Sequence, residues 1–194
     1  LSAREFNTRF GGTGGNPSSD AFKVLGDLFA GTAIVEKISG PDNALVGVAH
    51  NFWGTTYSGG FTYTASRAGD AADTLFLPFA TRKQPGGSWT EWDKGSVMNV
   101  TGSAVAVNIK YYNVAGAQLL EVGPCTIPNQ SVESFNSRYG CDGVCCNASD
   151  LAALGDNFQG GIVVEGATGS KLIGIMNTLY PTRLNTFNAK ATNR

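Results

Sequence analysis

The chain contains one and a half copies of a unit: residues 1–65 recur as residues 130–191, whereas 66–129 occur once. Ser2, Phe6, Asn7, Thr8, Arg9, Phe10 and Gly11 line up with Ser131, Phe135, Asn136, Ser137, Arg138, Tyr139 and Gly140. Leu25, Gly26, Asp27, Phe29, Gly31, Ile34, Val35 and Glu36 line up with Leu154, Gly155, Asp156, Phe158, Gly160, Val163, Val164 and Glu165. After a two-residue deletion, Leu45, Val46, Gly47 and Val48 meet Leu172, Ile173, Gly174 and Ile175. Half a repeat cannot bury its apolar face unaided. The expected organisation is an incomplete half-sandwich at 1–65 and a complete one at 66–194, a building block rather than a catalyst. A complete sandwich at 1–129 with 130–194 as the open half, or one larger sandwich in which the two similar halves flank the middle and nothing is left to complete, fits the same sequence.

The local pattern is that of an all-β chain. Strand-like stretches occupy 32–38, 44–50, 60–64, 74–79 and 96–101. The clearest runs over 104–112, where Val105, Val107, Ile109 and Tyr111 alternate with small or polar residues. A period of two marks a half-buried antiparallel strand. Asn113 and Gly116 then form a turn into 117–122, which predicts a hairpin. Glycine supplies 26 of the 194 residues, nearly double the average of roughly 7%, and so favours many tight turns. Short, regularly spaced strands of this kind describe an antiparallel, Ig-like β-sandwich. One helical stretch is expected at 149–154, with Ser149 or Asp150 as N-cap and Gly155 just beyond its end; its counterpart is 19–25.

These residues carry a resemblance. The elements are Leu-Phe-Leu-Pro at 75–78, Trp89 with Asp93, Ser-Val-Met-Asn at 96–99, the run 105–113 with Gly116, Thr-Ile-Pro at 126–128 and Phe-Gln-Gly at 158–160. Together they resemble an extracellular Ig-like β-sandwich repeat of surface and filament proteins in Chloroflexi-type filamentous bacteria. The resemblance covers 74–191 as one full unit and 1–65 as the second half of a preceding one. It implies stalks, sheaths or adhesive arrays, with no enzymatic activity and no cofactor. The chain departs from that pattern in a cysteine-bearing insertion at 141–146 that the first copy lacks.

The cysteines are Cys125, Cys141, Cys145 and Cys146. An even, clustered set in a glycine-rich β protein predicts disulfides and an extracellular or cell-surface setting. A bond between the neighbours Cys145 and Cys146 would be strained, so Cys125 pairs with one of them and Cys141 with the other, in either order. The spacing does not match the two separated pairs of a structural zinc site. Asp142, Asn147, Asp150 and Asp156 lack the spacing of a calcium loop. His50 is the only histidine, and no nucleophile motif accompanies it, so no catalytic site is expected. Asn99, Asn129 and Asn147 head N-x-[ST] sequons and are candidate glycosylation sites.

Charge bounds the partners. Only 15% of residues are charged and the net charge is −1, which gives nucleic acid no basic patch to bind and does little to keep copies apart. No apolar run approaches the ~18–20 residues of a membrane-spanning helix. The start at Leu1, with neither Met nor a charged-then-apolar leader, reads as a processed product or as the start of the ordered part. Expected partners are copies of the chain, joined head to tail by strand addition. A second reading makes it a carbohydrate-binding or adhesive module, with Trp53, Tyr57, Trp89 and Trp92 in Gly/Ser/Thr-rich loops as glycan contacts.

Overall fold

The computed structural model describes residues 5–12, 17–26, 33–36, 38–39, 47–53, 59–143, 145–181, 187–190 and 192–193. The chain divides into two compact units, Leu1–Ala33 and Ile34–Arg194. In the first, β1 (Phe6–Asn7) pairs antiparallel with β2 (Gly11–Gly12), and a 3₁₀ helix, Ser19–Leu25, ends at Gly26 with φ 75°. The second unit opens with an antiparallel pair, β3 (Val48–Trp53) and β4 (Gly59–Thr64). Residues 34–65 of the first copy thus belong to the second unit, and only 1–33 to the first.

The remaining strands are β5 (Thr74–Lys83), β6 (Glu91–Asn99), β7 (Val105–Asn113), β8 (Gln118–Ile127), β9 (Val132–Asn136), β10 (Gly140–Cys141), β11 (Asn157–Gly166), β12 (Leu172–Leu179), β13 (Phe187–Lys190) and β14 (Thr192–Asn193). They form one ten-stranded sheet in the order β10-β9-β6-β5-β11-β7-β8, with β12 joining β6 to β13 and β14 on β5. All of its strand pairings are antiparallel. The fold is therefore all-β, and the sheet curls as a half-barrel instead of dividing into two hydrogen-bonded sheets.

The curl originates in β5. Pro78 pairs with Gly161 and Ala80 with Gly160, so Phe79, at φ 64°, is an extra residue bulged out of the ladder. A bulge bends its strand and increases the local twist. Beyond it, Arg82 and Lys83 leave enough reach to pair with Trp92 and Glu91 of β6 while still pairing with β11. Leu75, Leu77, Val107, Ile109, Tyr111, Ile162 and Val164 from one side of this corner meet Val97, Phe135, Leu172 and Met176 from the other in a single core. Tyr111 and Phe158 stack edge to face within it, 6.0 Å apart.

The hairpin expected from the alternation at 104–112 is β7–β8. Its turn closes because Asn113 Oδ1 accepts the amides of Ala115 and Ala117, with Gly116 at φ 81°. The strand expected at 32–38 is not formed at its described positions, 33–36 and 38. The repeat counterparts of 33–36 lie in β11, between β5 and β7; the first copy contains no equivalents of those two strands. Of the stretch expected at 44–50, residues 44–46 lie outside the described residues and 48–50 belong to β3.

The helix expected at 149–154 is α1 (Ala148–Leu151) continued by a 3₁₀ turn, Ala152–Leu154, up to Gly155 at φ 78°. Its N-cap is Asn147, not Ser149 or Asp150. Asp150 sits three residues in and accepts the Asn147 amide at 2.8 Å. A carboxylate reaching back from that position satisfies the backbone amide of the N-cap residue, the reciprocal half of a capping box.

Glycine is required where β11 is paired on both sides. A Cβ on Gly160 would enter the backbone carbonyl of Tyr112 on β7. Backbone cannot yield as a side-chain tip does, so Gly160→Ala is expected to lower stability by about 2–3 kcal/mol, read as a shifted urea midpoint at unchanged slope.

Candidate functional site

The two copies of the repeat build the same small module, and its surroundings differ. In the second copy, β9 pairs with β10 as Phe135↔Cys141 and Asn136↔Gly140. In the first, β1 pairs with β2 as Phe6↔Gly12 and Asn7↔Gly11, which are the repeat-equivalent residues. Asn136 Oδ1 accepts the amides of Arg138 and Tyr139 at 2.9 and 3.2 Å, and Asn7 Oδ1 those of Arg9 and Phe10 at 2.9 and 3.1 Å. This asparagine turn explains why Phe-Asn-x-Arg recurs. Gly140 and Gly11 both take positive φ, 90° and 85°, and a Cβ on either would strike the following loop. Each loop closes with an equivalent bond, Cys141 N–H to Cys146 O at 3.0 Å and Gly12 N–H to Pro17 O at 2.7 Å. The later strands match as well: Val48 pairs with Thr64 as its counterpart Ile175 pairs with Lys190.

The second module is seated against β6, with Lys94↔Asn136 and Gly95↔Phe135 in register. The Phe135 ring lies where a Cβ of residue 95 would be, so only glycine leaves it room. Asp93 anchors the corner. Its carboxylate accepts the amides of Ser137 and Thr81, both at 3.2 Å, while the Ser137 hydroxyl accepts the Asp93 amide at 3.0 Å and donates to Thr81 O at 2.7 Å. Burial pushes the Asp93 pKa from 3.8 up to about 7 against the lowering effect of these bonds. Burial, and then the nearby Asp93 charge, push the Tyr111 phenol well above its usual value of 10.

Arg138 projects from the same turn into an aromatic cluster. Its guanidinium carbon lies 5.3 Å from the Trp89 ring centre and 4.7 Å from those of Trp92 and Tyr139. Arg82 covers Trp89 from another direction at 5.1 Å and is ion-paired with Asp156 at 3.0 Å. Trp89 and Trp92 meet edge to face. Trp92, expected in a loop, lies within β6 and is buried. Arg138, Tyr139 and Arg82 were missed because only the fold brings them to the tryptophans, although Arg9-Phe10 and Arg138-Tyr139 recur in the duplication. Trp53 lies at the end of β3 without a described side chain, and Tyr57 lies outside the described residues.

The first module presents the same surface uncovered. Phe6 is 55% exposed where Phe135 is 0%, and Leu25 37% where Leu154 is 6%. Phe22 is half-buried where Leu151 is buried, and Thr8 is exposed where Ser137 is buried. Among the described residues, β1 pairs with β2 alone.

The cysteines join as Cys125–Cys145 and Cys141–Cys146, with Cα atoms 5.1 Å apart in each bond. Two disulfides suit an oxidising compartment. They tie β8 and β10 to the insertion loop beside α1. Glu133, Cys141 and Cys145 bring donor atoms within 4.8 Å of one another. Both sulfurs are committed to disulfides, and Glu133 accepts the Gly143 amide at 2.9 Å. From the closed loops, replacing Cys125 and Cys145 by serine is expected to cost about 3 kcal/mol, and replacing Cys141 and Cys146 about 2 kcal/mol. Thermal melts of the two double variants would rank them, and a reversed order would contradict the assignment.

Among the sequons, Asn99 is buried, and its Nδ2 donates to Ser103 O at 2.7 Å and Ile127 O at 2.8 Å. That nitrogen has no room for a glycan in the folded domain. Asn129 and Asn147 are exposed. His50 is exposed on β3, with Nδ1 2.7 Å from Thr62 Oγ1. Asp142 lies 3.6 Å from Lys94 Nζ. Among the described residues, no helix is long and apolar enough to cross a membrane.

No family model matches the chain, and no curated protein does. Among solved structures, the crystal structure of Thermotoga maritima 1070 aligns with 64% of this chain and 97% of its own length, at 9% identity and a TM-score of 0.43.

Proposed function

We propose that the chain is an extracellular structural protein, a subunit of a surface filament, sheath or array assembled by inter-subunit β-strand pairing. One observation carries this reading: among the described residues the same module occurs twice, once seated on partner strands and once with its phenylalanine more than half exposed and its first strand paired with the second alone. Exposed edges and apolar patches are aggregation hazards unless something covers them, and strand addition supplies backbone bonds and apolar contacts together. The disulfides support an extracellular or cell-surface location. The common core on either side of the β5–β6 corner supports an Ig-like sandwich organisation, with 1–65 as an incomplete repeat and 66–194 as a complete one.

The glycan-binding reading has less support, because guanidinium groups already cover ring faces of Trp89 and Trp92. Electron microscopy and sedimentation of native material test the proposal. Ordered filaments or sheets are the expected result; a protease-resistant monomer at micromolar concentration, with no assembled form in native material, would refute it.

A further inference from the structure

The geometry points to a specific occupant for the open module: an extended strand of a partner subunit carrying the pattern Trp-x-x-Trp-Asp-x-Gly, the chemistry that residues 89–95 present to the second module. This rests on the assembly reading above and adds the identity and register of the donor.

The seated copy serves as the template. There, Gly95 lies opposite Phe135, Asp93 takes the Ser137 amide, and Trp89 and Trp92 receive Arg138. The equivalent positions in the open copy are Phe6, Thr8 and Arg9. A donor strand in the same register sets its glycine against Phe6, because any Cβ there would meet the ring. Its aspartate accepts the Thr8 amide. Its two tryptophans offer π faces to Arg9, which already lies 5.1 Å from the Phe10 ring centre; cation–π attraction makes that pairing electrostatically complementary. The seat is formed before the donor arrives, since β1, β2 and the asparagine turn repeat the strand pairing and turn bonds of their seated counterparts. Little ordering cost remains to be met on binding.

The donor belongs to a different polypeptide. In this chain β6 is bonded along both edges, to β9 with β5 on one side and to β12 on the other. Lending it to a second copy would open one seat for each seat filled.

The test uses the full chain and a fluorescein-labelled peptide with the sequence of residues 88–99, followed by anisotropy. Saturable binding is expected, weakened at least tenfold by Gly95→Val in the peptide or by Phe6→Ala in the chain, with the circular dichroism melt of the Phe6→Ala chain unchanged. Absence of binding, or equal binding by the Gly95→Val peptide or the Phe6→Ala chain, would overturn the proposal. So would ordered self-assembly of the pure chain that Phe6→Ala abolishes, because the occupant would then be a second copy. Filaments in native material without peptide binding would leave the assembly reading standing and remove this one. Peptide binding without any assembled form would do the reverse.

Discussion

Phe135→Ala is expected to destabilise the folded domain by about 3–5 kcal/mol, while Phe6→Ala changes the stability of the isolated chain by no more than about 0.5 kcal/mol. The two phenylalanines are repeat equivalents, each on the strand that leads into the same asparagine turn. Their surroundings make the difference. Phe135 is fully buried over Gly95, so truncation loses its transfer free energy and leaves a cavity against the rigid β6 backbone. Phe6 is more than half exposed, so truncation empties no cavity within the chain. Chemical denaturation of each variant checks the contrast. A cost at Phe6 comparable to that at Phe135 would mean that the first module is already seated within the chain, which would remove the basis for an external donor.

The second large effect concerns Asp93. Stability is expected to fall as pH rises from about 5 to about 7, by on the order of 3 kcal/mol from this one group, at about 1.4 kcal/mol per pH unit. The sign follows from burial. The folded-state pKa, about 7, lies above the ordinary 3.8, so between these values the folded protein holds a proton that the unfolded chain has released. The contribution is full below pH 4, declines through the window and is gone above 7. Removing the charge by Asp93→Asn retains a carbonyl oxygen to accept one of the two backbone amides. Urea midpoints of wild type and Asp93→Asn, compared from pH 5 to 8, isolate the group from the surface ion pairs. Parallel curves would show that the Asp93 carboxyl does not titrate in this range.

Much of the fold was legible because it is encoded by neighbours in sequence. Alternation at 105–111 specified a strand with one buried face, and Asn113 with Gly116 specified its turn; both act over a few residues. The helix after the insertion was legible for the same reason, although its N-cap was misplaced because Asp150 caps from inside the first turn. The cysteines were legible as two disulfides, but either partner for Cys125 was open, since only the packing of β8 against the loop decides which sulfur it meets. Trp92 was not legible as a strand residue because glycine and serine around it obscure the strand pattern that β12 and β5 enforce. The cation–π cluster joins residues from β5, β6 and the turn after β9, so no local window contains it.

The sequence by itself determined the duplication, the all-β character and the local turns, because side-chain periodicity, asparagine turns and positive-φ glycines act within a few residues of backbone. The tertiary structure alone decided which copy of the shared module is covered. Phe6 and Phe135 carry the same side chain in the same local geometry, and only the presence of β6 beside one of them separates a core residue from an exposed one. Burial depends on what the rest of the chain brings to a surface, and the duplicated residues themselves contain no record of it.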